Sequence, residues 1–178
     1  DKEGEDGVIP APFTYHRPGD VAAAIALLAE HGDEARVIAG GHSLIPLMKQ
    51  RMTDIAHLVD LGGVTQLAGV EIAGDTVRIG ATTTQESLIG DAGLARVAPL
   101  IREAALQVAD PQVRALGTIG GNVANGDPGN DMPGLMQCLD ATFTLVGPED
   151  TREAAARDFY EAAYMTDRDE EGILTAIS

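Results

Sequence analysis

Apolar residues alternate between two periods along the chain, and the alternation sets out its elements. From Val21 to His31, Val21, Ile25 and Leu28 recur every three or four positions, the spacing of an amphipathic helix. Asp20 stands in front as an N-cap and Gly32 behind as a stop. Short apolar runs at Arg36–Ala39 and His57–Leu61 predict strands. Ser43–Met52 between them predicts a helix, and Val8–Tyr15, carrying two prolines, predicts an edge strand or extended entry. This strand–helix–strand–helix–strand order has the spacing of parallel βαβ units.

Beyond Gly62-Gly63 the pattern changes. Leu67–Ala73 and Thr76–Ala81 predict a hairpin turning at Gly74-Asp75. Thr83-Thr84-Gln85-Glu86 predicts a capping box opening a short helix, and Leu94–Val108 a longer helix. Met132–Leu139 predicts a helix, and Thr142–Val146 and Ile173–Ile177 predict strands. Gln112–Asn130 is rich in glycine and polar residues and too long for a plain connection; Arg152–Tyr164 is undecided. The predicted organisation is a leader over residues 1–7, a βαβαβ lobe over 8–61 and a larger α+β lobe over 62–178. A chain ending just after a strand also reads as part of something longer.

The 178 residues are 44% hydrophobic but only 3% aromatic, with no tryptophan. The core must therefore be built from aliphatic residues. A net charge of −16 and so few rings exclude a nucleic-acid surface. No apolar run is long enough to span a membrane, and a cytoplasmic location is expected. The lone Cys138 cannot form an internal disulfide, a zinc site or an iron–sulfur cluster. In its apolar surroundings it reads as a buried small hydrophobe.

Two glycine-rich segments carry the candidate chemistry. Ala39-Gly40-Gly41-His42-Ser43-Leu44 links a strand to a helix. Two glycines there allow a sharp turn and close approach of a ligand, with Ser43 capping the helix and amide N–H groups left for a diphosphate. The same spacing also suits an ordinary strand-to-helix turn. The second segment, Leu116–Asn125, holds Gly117, Thr118, Gly120, Gly121, Asn122 and Asn125. No G-x-G-x-x-G opens the first βαβ unit and no P-loop motif is present. Asp127, Asn130 and Asp131 lack the alternation of a calcium loop.

Taken together, Ala39-Gly40-Gly41-His42-Ser43 and Thr118-Ile119-Gly120-Gly121-Asn122 resemble the paired FAD signatures of the molybdenum hydroxylase flavoproteins. That group includes the medium subunit of aerobic carbon monoxide dehydrogenase and the flavin domain of xanthine dehydrogenase. The resemblance extends through Ile9-Pro10-Ala11-Pro12-Phe13, Leu58-Val59-Asp60-Leu61, Ile79-Gly80-Ala81-Thr82-Thr83, Asp131-Met132-Pro133 and Gly172-Ile173-Leu174-Thr175.

It implies a two-lobed α+β FAD-binding fold of the vanillyl-alcohol-oxidase (PCMH) type. The cofactor-binding residues it implies are Ala39, Gly40, Gly41, His42, Ser43, Leu44, Thr118, Ile119, Gly120, Gly121, Asn122 and Asp131. The FAD pyrophosphate would lie on the backbone of Gly40–Ser43 and Gly120–Asn122, with side-chain contacts from Thr118, Asn122 and Asp131. The implied role is electron transfer from iron–sulfur clusters to an external acceptor. The implied partners are a molybdopterin-containing large subunit and a [2Fe–2S] small subunit, with any membrane association made through that complex. The chemistry belongs to the cofactor, so no catalytic residue is expected. The resemblance also implies a further C-terminal domain after these 178 residues, either not included in the sequence or absent.

Several side chains have plainer readings. His42 could attach a flavin covalently, but the resembled family holds FAD noncovalently. His16, His31 and His57 are scattered without ligand spacing, so no metal site is expected. Lys49 and Arg51 read as solvated, Arg114 as a possible phosphate partner, and Asp167–Glu171 as a solvated turn. Two other functions fit less well: a non-catalytic FAD-binding or interaction module, and a self-contained oxidase, for which 178 residues leave no substrate domain.

Overall fold

A computed structural model describes residues 9–108, 110–169 and 171–178. The expected leader, Asp1–Gly7, lies outside them, as does Val8.

The first three strands are β1 (Thr14–His16), β2 (Ala35–Ile38) and β3 (His57–Asp60), and they form a parallel sheet in the order β1-β3-β2. Helix α1 (Val21–His31) crosses from β1 to β2, and the shorter α2 (Leu44–Lys49) from β2 to β3. Asp20 caps α1 by accepting the Ala23 N–H at 2.8 Å. Gly32 ends it with φ +49°, a conformation that glycine adopts cheaply. Ala24, Ile25 and Leu28 turn inward onto Ala35, Val59 and Leu61. The predicted βαβαβ unit is present, with β1 on the edge.

The second sheet has five strands in the order β4-β5-β10-β6-β7, and its pairings are antiparallel. Its hairpins are β4 (Val70–Ala73) with β5 (Thr76–Gly80), and β6 (Thr142–Val146) with β7 (Thr151–Ala155). Between them lies β10 (Ile173–Ile177), all five of whose residues are buried, as a central strand requires. A small hairpin, β8 (Tyr160–Ala162) with β9 (Met165–Thr166), stands apart. The segment left undecided from the sequence thus supplies β7 and β8.

Helices α3 (Gln85–Gly90), α4 (Ala92–Val97), α5 (Pro99–Gln107), α6 (Pro111–Leu116), α7 (Ile119–Asn125) and α8 (Asp131–Cys138) cover this sheet. Their core includes Ile79, Leu88, Leu94, Ile119, Met132, Met136, Phe143 and Phe159. Phe143 and Phe159 meet edge to face at 4.8 Å. The two cores join at Ile173, which packs with α1 and the β3 end rather than with the rest of its own sheet's core.

Four sequence expectations are corrected. Leu94–Val108 is two helices, because Pro99 has no N–H to donate and disfavours helical geometry at Ala98 (φ −138°). The cap of α3 is Thr84, accepting from Ser87 N–H, and Thr83 instead bonds the backbone of Gly69. The glycine-rich Gln112–Asn130 stretch contains α6 and α7, each opened by a cap, Asp110 and Thr118. Cys138 is exposed, since α8 buries Met132, Pro133 and Met136 and Cys138 falls roughly 200° around the helix from Met136.

Candidate functional site

The two glycine segments meet. A β-carbon on Gly40 would lie 2.3 Å from the Leu116 carbonyl oxygen and 2.7 Å from Gly117 Cα. Only glycine lets the first turn rest directly on the backbone that leads into α7. Gly41 follows with φ +74°, a left-handed conformation that bends the chain sharply into α2.

The amide N–H groups of Gly41, His42 and Ser43 have no hydrogen-bond partner among the described residues. His42 and Ser43 are exposed, while Ala39, Gly40, Gly41 and Leu44 are half-buried. The side chain of Ser43 makes no capping bond, contrary to the sequence expectation, because its backbone has already turned helical (φ −94°, ψ −48°) instead of taking the extended form a cap needs. Its hydroxyl is therefore not committed to capping α2.

The second segment is built differently. Thr118, Ile119 and Gly120 are buried. Thr118 Oγ1 accepts the Gly121 N–H at 3.1 Å. The Ile119 N–H donates to Thr83 O, the Gly120 N–H to Ala81 O, and the Asn122 N–H to Thr118 O. Thr84 and Thr118 bridge like antiparallel strands, and Gln85 N–H donates to Gly117 O at 2.9 Å. The amides of Gly120, Gly121 and Asn122, expected to be free for a diphosphate, are thus all engaged by the protein. Gly120 serves close packing: a β-carbon there would meet Ala81 Cβ at 2.5 Å. Thr118 is committed to capping.

What this segment offers is side-chain polarity. Asn122 Oδ1 is buried without a hydrogen-bond partner, and so are both polar atoms of Gln85, which is 2% exposed. Buried orphans of this kind are costly unless something satisfies them. Gln85 is missed by sequence reasoning, because a glutamine in the first turn of a helix looks like a solvated residue. Asp131 opens α8 on the exposed surface, one position after the N-cap Asn130. At the far end of α7, Tyr164 (φ +60°) donates its N–H to Gly126 O, and a hydrogen bond to Asp127 raises the pKa of its phenol.

The cationic candidates turn elsewhere. Arg114 Nη1 donates to Val108 O at 2.9 Å, with Nε 3.8 Å from Glu86, and Arg51 Nε donates to Ile9 O. A separate open cleft, lined by Val21, Leu67, Gly69, Arg78, Gly80 and Thr175, includes none of the glycine-loop residues. The reading of His16, His31 and His57 as dispersed is also corrected: the parallel pairing of β1 with β3 and the descent of α1 bring all three together.

Residues 11–178 match the family described as the FAD binding domain in molybdopterin dehydrogenase. The chain is 56% identical over 170 residues to the carbon monoxide dehydrogenase medium chain of Afipia carboxidovorans. It is 44% identical over 170 residues to that of Hydrogenophaga pseudoflava. Each match covers 96% of this chain and 59% of the relative, so the chain spans about three fifths of their length. Among solved structures, a crystal structure of the Cu,Mo-CO dehydrogenase superposes with a TM-score of 0.93 at 56% identity, over 95% of this chain and 59% of the other. Quinoline 2-oxidoreductase from Pseudomonas putida 86 gives 0.92 at 32% identity, with the same coverage. The paired glycine turns, the α+β fold and these matches lead to one assignment: the chain belongs to the family of FAD-binding domains of molybdopterin dehydrogenases.

Proposed function

We propose that the first glycine turn grips the FAD diphosphate, and that the domain serves as the flavin relay of a molybdenum hydroxylase-type oxidoreductase. The observation that carries the reading is the set of unpartnered N–H groups at Gly41, His42 and Ser43, fixed against Leu116–Gly117 by the bare Cα of Gly40. Consecutive free amides form a concave anion site that needs no cationic side chain, which suits a chain with net charge −16. The Ser43 hydroxyl adds a donor to the same turn, and Ala39 and Leu44 flank it.

On the other side, Thr118, Ile119, Gly120 and Gly121 form the rigid backing. Asn122 offers its buried carbonyl oxygen to a donor on the cofactor, and Asp131 offers a carboxylate at the surface. FAD, when bound, supplies the redox chemistry. The protein's own contribution is to hold and orient it, and no residue acts as acid or base. In this reading the partners are a molybdopterin-containing large subunit and a [2Fe–2S] small subunit, electrons leave to an external acceptor, and the location is the cytoplasm. Among the described residues no helix is long and apolar enough to cross a membrane. The lobes 8–61 and 62–178 act as the two halves of the grip.

The test has two steps. Titration with FAD, followed by the visible flavin band and by the change in flavin fluorescence, should saturate with one FAD per chain. Gly41→Val, which forces a branched side chain into a left-handed turn, should abolish uptake. Reduction of the bound flavin by a reduced [2Fe–2S] subunit of carbon monoxide dehydrogenase type then tests the relay. A protein that takes up FAD but is never reduced by such a subunit is a binding module instead.

A further inference from the structure

We propose that His16, His31 and His57 form a binding site for a borderline divalent transition ion of the zinc, nickel or copper class, separate from the flavin site. The three side chains are half-buried, and one ring nitrogen of each lies within 4.8 Å of the others. His16 Nε2 is 3.0 Å from His57 Nδ1. The rings of His31 and His57 stack with centroids 3.6 Å apart, and that of His16 lies 5.4 Å from His31.

The backbone makes the meeting inevitable. His57 opens β3 opposite Thr14, so His57 and His16, two residues beyond Thr14, point to the same face of the sheet. Val59, on that face, is packed under α1. His31 is the last residue of α1, so the helix sets its imidazole on this sheet end.

Three features favour a cation. Imidazole nitrogens suit zinc, nickel and copper ions. His31 lies at the C-terminal end of an 11-residue helix, where the helix dipole is negative. The chain as a whole is strongly acidic.

The site needs only side-chain adjustment. A tetrahedral centre with metal–nitrogen bonds of about 2.0–2.1 Å holds its ligand nitrogens roughly 3.4 Å apart. The His16 and His57 nitrogens, hydrogen-bonded at 3.0 Å, must part by about 0.4 Å to admit the ion, and His31 must swing out of its stack by about one to two ångströms. Three protein ligands leave the fourth position to water. The ion would tie β1, β3 and the end of α1 together across a sequence span from residue 16 to residue 57.

Isothermal titration of the full chain, purified without an affinity tag, with zinc chloride and separately with nickel chloride tests this. The expected result is saturable uptake of one ion per chain. At a hundredfold excess over Kd, zinc should raise Tm by about 5–10 °C. His16→Asn, His31→Asn and His57→Asn should each weaken zinc binding by at least about tenfold while FAD uptake stays unchanged, which shows that the fold persists. Cys138→Ser should keep full zinc uptake. The proposal is overturned if the wild-type chain takes up neither ion saturably, or if uptake survives in the variant with all three histidines replaced. FAD uptake is read independently, so failure of the metal site leaves the flavin reading untouched.

Discussion

Replacing Gly40 with alanine places one methyl group where backbone already lies. The added carbon would sit 2.3 Å from Leu116 O, 2.7 Å from Gly117 Cα and 2.9 Å from Leu116 C. None of these atoms can rotate away, because all belong to the main chain. Ordinary contact begins at 3.4 Å, so the two segments must part by about 1 Å. Leu116–Gly117 is held by the Gln85–Gly117 bond and the Thr84–Thr118 bridge, so the first turn does most of the moving. Overpacking of this size costs about 1–3 kcal/mol, a fall in Tm of roughly 2–12 °C for a chain of this length. Losing one amide–phosphate hydrogen bond, worth about 1.5–3 kcal/mol, weakens FAD roughly 10–100-fold.

Differential scanning fluorimetry of the apo chain and FAD titration read the two effects separately. Gly134→Ala is the control. Gly134 lies inside α8 with nothing within 4 Å of a new β-carbon, and alanine there should stabilise by about 0.5–1 kcal/mol. A Gly40→Ala protein with wild-type Tm and wild-type FAD affinity would refute the contact between the segments as the basis of the grip.

Other outcomes follow from single residues. Asn122→Ala removes a buried unpartnered acceptor, so apo Tm should hold or rise while FAD affinity falls by about tenfold or more; equal affinity would remove Asn122 from the site. Tyr160 carries a buried hydroxyl without a partner, and desolvation by burial raises its pKa well above the ordinary phenol value. The folded state therefore holds this proton more tightly than the unfolded state, and stability should stay level below about pH 10 and fall as pH rises beyond it. Tyr160→Phe should flatten that alkaline fall and raise Tm at neutral pH, as urea melts across pH would show. Ile173→Ala, at the join of the two cores, should cost about 2–5 kcal/mol in chemical denaturation, with both sheets melting in one transition.

Much of the fold was legible because local signals and burial agreed. Asp20 and Gly32 bracket α1, Gly74-Asp75 turns the β4–β5 hairpin, and the run at Ile173–Ile177, apolar but for Thr175, is a strand buried throughout. The stretch holding α6 and α7 was not, because glycines at 120 and 121 argue against a helix. Packing against Ala81 and the Thr118 cap override that local preference. In the site, the glycine positions were legible and the disposition of the amides was not. Which N–H groups are free depends on the carbonyls of Ala81 and Thr83, about forty residues earlier in sequence. The meeting of His16, His31 and His57 was hidden for the same reason, since strand register rather than spacing brings them together.

The place of β10 bears on how the molecule assembles. Before Ile173–Ile177 is inserted, β4–β5 and β6–β7 are two detached ribbons, each with a bare edge, because they have no pairing with one another. This one strand closes both gaps, pairing Ile177 with Ile79 and Phe143, and it also delivers Ile173 to the neighbouring core. Such distant closure is slow, and half-built ribbons with open edges tend to stick to one another. A chain in which Ile173–Ile177 has not docked is therefore the form most prone to aggregate, and conditions that speed this docking should raise the yield of native protein.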